Sequence, residues 1–282
     1  MHATQQDLRH NLHGMWAAVA PAWDEHAAYA DARGAGVAER MLELAAPQPG
    51  ERVLELACGP GGLGLAAAAR VAPGGEVVVS DVAAEMTAIA AARARAAGLQ
   101  NVSALVLDLE DIDEPDGGFD AVLCREGLMF ALDPARAARE LWRVLRPGGR
   151  AAVAVWGPRE RNPWLGLVFD ALAAQLGRPV PPPGVPGPFS LGDAAALEAL
   201  LREAGFAGVS VSEVAVPLQA GSFDEWWTRT CALAGPLATI VRSLPEDAAR
   251  ALRERVQEAT RPFATGAGLE LPGLSLVAAG RR

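Results

Sequence analysis

An α/β fold, doubly wound about a mostly parallel sheet, follows from two features of the chain. From residue 50 to about residue 157, short apolar runs alternate with helix-like stretches, the pattern of strands joined by crossover helices. The runs are almost continuously apolar and do not alternate with polar residues, as expected of strands covered on both faces.

The expected strands are Arg52–Ala57, Glu76–Ser80, Val102–Leu107, Phe119–Cys124 and Arg150–Trp156. Between them, Leu63–Val71, Ala83–Ala97 and Pro134–Arg146 read as helices. Gly98 stops the second, and Pro147-Gly148-Gly149 stops the third. Asp133 is the expected N-cap of the third, with Pro134 in its first turn. About 50 residues precede the sheet and read as helical up to the turn Pro47-Gln48-Pro49-Gly50. Beyond Trp156 the pattern predicts a helix over Asn162–Leu176, then a connection at Arg178–Phe189 carrying six prolines. A helix over Leu191–Ala204, a strand over Val209–Val216, helices over Phe223–Arg242 and Pro245–Arg261, and a last strand at Leu274–Ala279 complete the reading.

Composition narrows the chemistry. All 25 basic residues are Arg, and the 282-residue sequence contains no lysine. A Schiff-base lysine is therefore absent, and so is the lysine of a GxxxxGK[ST] phosphate loop. A net charge of −9 argues against nucleic acid as a partner, since such proteins carry a basic footprint. Cys58, Cys124 and Cys231 are odd in number and far apart, which argues against a disulfide framework. The polar first residues do not resemble a secretory signal, and no apolar run is long enough to span a membrane. A cytoplasmic protein with no membrane insertion is the expectation.

The richest segment runs from Val53 to Gly64: a strand, a glycine turn and a helix start. Gly59, Gly61 and Gly64 satisfy GxGxxG, and Asp81 closes the next strand. Glycines let backbone approach a ligand, the helix start offers free N–H groups, and the acid can grip both hydroxyls of a ribose. Two ligands compete for such a site. A dinucleotide would set its pyrophosphate on the helix N-terminus, where Glu55 would repel it. S-adenosylmethionine instead brings a cationic ammonium and sulfonium, which Glu55 favours. An NAD-dependent oxidoreductase stays open as the disfavoured alternative.

Taken together, these residues resemble the class I S-adenosylmethionine-dependent methyltransferases, in particular the ubiquinone- and menaquinone-biosynthesis group. Glu55-Leu-Ala-Cys-Gly-Pro-Gly61 resembles the family's acidic glycine loop. Asp81, Asp108-Leu109-Glu110 and the Arg143–Arg150 turn follow in the family's order. Ala57 stands where the family most often has glycine. The resemblance implies a Rossmann-like, seven-stranded methyltransferase fold. It divides the chain into an N-terminal helical lid (1–48), a cofactor-binding core (49–157) and a remainder (158–282) with capping insertions at 178–190 and 222–262. Glu55, with Ala57, Cys58, Gly59 and Gly61, would hold the methionine end. Asp81 would bind the ribose, Val82 and Met86 would flank the adenine, and Asp108 and Leu109 would meet its edge. Cys124 and Arg125 would lie beside the methionine end, with Trp23 closing from the lid. S-adenosylhomocysteine would be the product form of the cofactor.

Methyl transfer needs alignment and exclusion of water, and a hydroxyl or carbon acceptor also gains from a general base. Without lysine, the candidates are His26, three residues before Tyr29, and Glu126 after the fourth strand. All four histidines (His2, His10, His13 and His26) fall in the first 26 residues with no metal-ligand spacing, and no metal is expected. Trp156, Trp164, Phe189, Trp226, Trp227 and Phe263 supply apolar surface, with at least one of the adjacent Trp226 and Trp227 in the core. A small hydrophobic or aromatic acceptor follows, O- or C-methylated as in quinone or polyketide metabolism. N-methylation of a small amine and a S-adenosylmethionine-dependent reaction other than methyl transfer are alternatives, and a homodimer is left open.

Overall fold

A computed structural model describes residues 5–282. Two helices, α1 (Gln5–Glu25) and α2 (Ala27–Ala45), precede the sheet. α2 ends at Ala46 in the left-handed region (φ 42°), ahead of the Pro-Gln-Pro-Gly turn. The sequence next forms β1 (Arg52–Leu56), α3 (Gly62–Val71), β2 (Glu76–Asp81), α4 (Ala84–Ala96) and β3 (Val102–Val106). β4 (Phe119–Arg125), α5 (Pro134–Val144) and β5 (Leu145–Trp156) follow. Asp133 caps α5 as expected, accepting the Arg136 N–H at 2.9 Å.

The second half contains α6 (Pro163–Leu176), α7 (Ala194–Glu203), β6 (Ala207–Ala215), β7 (Leu218–Ala220), α8 (Phe223–Leu233), α9 (Gly235–Ser243) and α10 (Glu246–Thr260). Two short strands, β8 (Ala264–Thr265) and β9 (Gly268–Leu271), lead to β10 (Leu274–Arg281). The main sheet has seven strands in the order β3-β2-β1-β4-β5-β10-β6. β1 to β5 pair in parallel, and β10 runs antiparallel to both neighbours. The strand order reverses between β1 and β4, so the crevice at their carboxyl ends is where this fold takes ligands.

The structure departs from the expected elements in four places, each for a local reason. Pro147-Gly148-Gly149 does not separate a helix from a strand: β5 already pairs Leu145 with Phe119, and the register then slips before Arg150 meets Ala121. Gly148 at φ 78° takes up the slip. α7 starts at Ala194 because Asp193 caps it through the Ala196 N–H at 2.8 Å. The helix expected over Phe223–Arg242 is two helices, broken at Ala234 ahead of Gly235-Pro236, since proline cannot donate to the preceding turn. β7, β9 and β8 form a second, three-stranded sheet whose two- to four-residue strands are too short to show a period.

The core is built mostly of Val, Leu and Ala from both faces of the main sheet. Asn162, fully buried, ties its two halves. Its amide donates to the carbonyls of Gly157, Pro158 and Leu274, while its oxygen accepts from the Leu274 N–H (2.9 Å) and the Trp164 indole (3.0 Å). Trp226 is fully buried and Trp227 partly so. Among the described residues no helix is long and apolar enough to cross a membrane.

Candidate active site

Two cavities, about 1000 and 970 Å³ with their mouths, open over the carboxyl ends of the strands. They share a wall of Trp16 and Trp23 from α1 and Arg125, Glu126 and Phe130 from the end of β4. Trp16 packs edge-on against Phe130 at 4.9 Å between centroids, and the Trp23 indole donates to the Leu233 carbonyl at 3.1 Å. α1 is thereby fixed across both mouths to the sheet and to α8.

The first cavity is built around the glycine turn. Ala57 (φ 51°), Gly59 (φ 52°) and Gly61 (φ 84°) lie in the left-handed region, and at Ala57 this is a strain that glycine would avoid. A side chain at Gly64 would strike the Glu55 carboxylate. The Gly64 N–H donates to Glu55 Oε2 at 2.9 Å. Glu55 is buried, and burial pushes its carboxyl up to about 8 against the lowering influence of Arg125 and the Gly64 N–H. Asp81 accepts the Gly59 N–H on one oxygen and the Ala83 N–H on the other, both at 3.0 Å. Burial raises its carboxyl too, opposed by those backbone donors. Asp108 follows β3, with the Glu110 N–H on Oδ1 (2.9 Å) and Arg9 Nε 3.3 Å from Oδ2.

Ala57, Cys58, Gly59, Asp81, Val82, Met86, Asp108, Leu109, Trp23, Glu55 and Arg125 all line this cavity, as does Glu126. The sheet therefore brings most of the expected binding residues together. Three residues stand elsewhere. Gly61 packs α3 on α4: a Cβ there would lie 2.8 Å from that of Ala90. Cys124 lies in the core beneath Gly127, and burial pushes its thiol up to about 12. His26 sits between α1 and α2 and lines neither cavity, whereas Tyr29 lines the second. His2 lies outside the described residues. Among the described residues no cluster of His, Cys, Asp and Glu could hold a metal ion.

Sequence reasoning missed several participants. Arg9 and His13 of α1 reach Asp108, and Arg9 also donates to the buried Glu110 at 2.8 Å. Glu110 in turn accepts the Leu132 N–H at 2.6 Å. Arg33 of α2 lines the second cavity, its guanidinium over the rings of Trp164 (4.0 Å) and Trp156 (5.1 Å). Gly34 makes room for Arg125, whose Nη1 would lie 2.7 Å from a Cβ there. The only sequence signal for Arg33 and Gly34 was their place in the lid.

The donor set of the first cavity suits one kind of ligand. A buried acid at the β1 end favours a cation, a second at the β2 end favours a diol, and Val82, Met86 and Leu109 favour a flat ring. Such a site, on a Rossmann-like sheet, defines the S-adenosylmethionine-dependent methyltransferases. Residues 53–149 match the family model described as a methyltransferase domain. Nocamycin O-methyltransferase of Saccharothrix syringae is 36% identical over 200 residues, covering 67% of this chain and 70% of that protein. The chain belongs to the methyltransferase family, whose cofactor is S-adenosylmethionine. Demethylmenaquinone methyltransferase of Thermus thermophilus is 42% identical over 130 residues, 46% of this chain and 58% of its own length. The chain thus spans less than two thirds of that relative. The YcgJ protein of Bacillus subtilis shares the fold, with a TM-score of 0.61 at 21% identity over 87% of this chain and 97% of that one.

Proposed function

We propose that this protein transfers a methyl group from S-adenosylmethionine to oxygen or carbon of a small hydrophobic molecule seated in the second cavity. One observation carries the reading: a cavity lined by the acids Glu55 and Asp81 adjoins an aromatic-lined cavity, the two having Trp16, Trp23, Arg125, Glu126 and Phe130 in common. Bound S-adenosylmethionine supplies an electrophilic methyl on a sulfonium. Glu55 would hold the cationic methionine end, Asp81 the ribose hydroxyls, and Val82, Met86 and Leu109 the adenine surroundings. Trp16, Trp23 and Phe130 exclude water from the junction, where alignment of donor and acceptor supplies most of the rate enhancement.

Glu126 is the base of this proposal. It lines both cavities, takes a positive φ of 58°, and its Oε1 accepts from the Ser275 hydroxyl at 3.4 Å. Burial raises its carboxyl while Arg125 and Arg33 oppose the rise, which strengthens it as a proton acceptor. His26, outside both cavities, is dropped from this role.

Calorimetry with S-adenosylhomocysteine and with NADH tests the cofactor side. Mass spectrometry of labelled S-adenosylmethionine reactions with phenols, quinones, carboxylic acids and amines tests the transfer. Tight S-adenosylhomocysteine binding and label on an oxygen or carbon are expected. NADH binding alone, or label only on amines, would overturn the reading.

A further inference from the structure

We propose that the second cavity selects an acceptor bearing a carboxylate, gripped by one edge of the Arg33 guanidinium. This rests on the methyltransferase reading and adds the class of acceptor.

The cavity is basic inside an acidic chain. Its wall carries Arg33, Arg125 and Arg229 against a single acid, Glu126, although the whole sequence carries −9. Two of these arginines already have work. Arg229 donates to Glu225 (2.7 Å) and to the Gln219 carbonyl (3.2 Å) while lying 3.6 Å over the Tyr29 ring. Arg125 lies at the shared wall, close enough to Glu55 and Glu126 to favour both carboxylates.

Arg33 differs. Its Nε and Nη2 are buried and have no hydrogen-bond partner. These two nitrogens form one edge of the guanidinium, with parallel N–H bonds at the spacing of two carboxylate oxygens. The Trp164 and Trp156 rings, 62° apart, hold the guanidinium carbon between them at 4.0 and 5.1 Å from their centroids, and the Asn162 bond to the Trp164 indole fixes the platform. The Tyr29 hydroxyl lies beside the guanidinium and favours its charge, and its proton offers a third donor to the same anion. Buried donors left bare cost stability, and a pre-set cationic edge stripped of water is a strong anion site. Glu126 also favours the Arg33 charge, but the hydrogen bond its Oε1 makes is from the Ser275 hydroxyl, and neither free nitrogen of Arg33 is taken by it. Leu165, Phe169, Val216 and Leu218 line the rest and suit a hydrocarbon or aromatic body. A neutral quinone would leave the Arg33 edge bare.

The test uses 1-naphthoate and its methyl ester as probes on the full chain saturated with S-adenosylhomocysteine, read by calorimetry. Naphthoate should bind the wild type at least tenfold more tightly than the ester. In Arg33→Met that preference should fall to within twofold, while S-adenosylhomocysteine affinity stays unchanged, which also reports folding. Arg33→Lys keeps the charge without the edge and should lose most of the preference. Equal or tighter binding of the ester, binding of neither probe, or full preference in Arg33→Met would each overturn the proposal. If Arg33→Met fails to fold, the wild-type pair and Arg33→Lys still decide. Failure of S-adenosylhomocysteine to bind would sink the methyltransferase reading itself. Its binding without acid preference would sink only the carboxylate.

Discussion

The two cavities are alike in size and share a wall, yet they are opposite in charge. The first draws Glu55, Asp81, Asp108 and Glu110 around a ligand, with Arg9 and Arg125 as its arginines. The second draws three arginines around one acid. A strand end supplies each principal acid of the first, because β1 and β2 deliver Glu55 and Asp81 to the same crevice. α2, outside the sheet, supplies Arg33 of the second. On the proposed function, the difference teaches how a donor and an acceptor are sorted: a cationic donor is drawn to the first cavity, and an anionic or neutral acceptor to the second. Only Arg125 and Glu126 among the charged residues belong to both.

Glu126 is therefore where the comparison breaks most completely. Glu126→Gln keeps the shape of the wall and removes the proposed base. Turnover should fall by about 10²–10⁴, with S-adenosylhomocysteine affinity within about twofold, as read by single-turnover kinetics and calorimetry. A variant with full turnover would leave the shared wall as a positioning device alone.

The acidity of the first cavity predicts a pH dependence. Glu55 titrates at about 8 in the free protein, so at neutral pH it is largely protonated. A cationic ligand favours the ionised form, and binding should release a proton. S-adenosylmethionine affinity should rise with pH by up to about tenfold per unit between pH 6 and 8. Calorimetry in buffers of different ionisation enthalpy measures that proton, and Glu55→Gln should abolish it. The stability of the free protein moves the other way. A carboxyl raised on folding favours the folded state fully below its ordinary value near 4.5 and loses that contribution as the pH climbs through about 8. The loss amounts to about 5 kcal/mol. Denaturation midpoints of wild type and Glu55→Gln should converge toward acid and diverge toward pH 8, with the wild type the less stable there. A flat affinity profile would mean that Glu55 does not face the cation.

The first cavity was largely legible in the sequence and the second was not, for a physical reason. Glu55, Gly59 and Asp81 lie on a contiguous strand-turn-helix and the strand beside it, so spacing alone carries their geometry. Gly61 belongs to the same turn and Cys124 to β4 on the other side of β1, but spacing does not tell which way a residue faces. Gly61 serves the contact of α3 with Ala90, and Cys124 points into the core. His26 was a candidate through its helical spacing to Tyr29, but it falls between α1 and α2 and lines neither cavity. Arg33 meets Trp164 of α6 and Trp156 of β5 only through the packing of α2 on the sheet. It is one of 25 arginines, and nothing in its local pattern sets it apart. The sheet itself was legible because five of its strands are apolar runs, while β7, β8 and β9 are too short to have a pattern.

The remaining predictions concern how firmly the first cavity holds its ligand. Asp81→Ala removes the acid expected on the ribose and should weaken S-adenosylhomocysteine binding by about 1–3 kcal/mol. Asp81→Asn keeps the bonds from Gly59 and Ala83 partly in place and should lose less. Unchanged affinity in both would take the ribose away from Asp81.

A smaller effect is expected at the lid. Arg9 ties α1 to Asp108 and to the buried Glu110, so Arg9→Ala leaves Glu110 with the Leu132 N–H and without its cation. Part of the pair is exposed, and screening limits its worth to about 1 kcal/mol. If α1 is a cover over the cofactor, that loss should appear as a few-fold faster release of S-adenosylmethionine with little change in its association rate, since a latch acts on the closed state. Stopped-flow displacement separates the two rates. Charge on the cavity rim acting at a distance would instead change association and its salt dependence. For Arg9 that sign is distinctive: losing a cation near the mouth should if anything speed the arrival of a cationic ligand. Faster release therefore assigns Arg9 to the latch, and faster arrival with unchanged release would assign it to the field of the cavity and leave α1 without a fastening there.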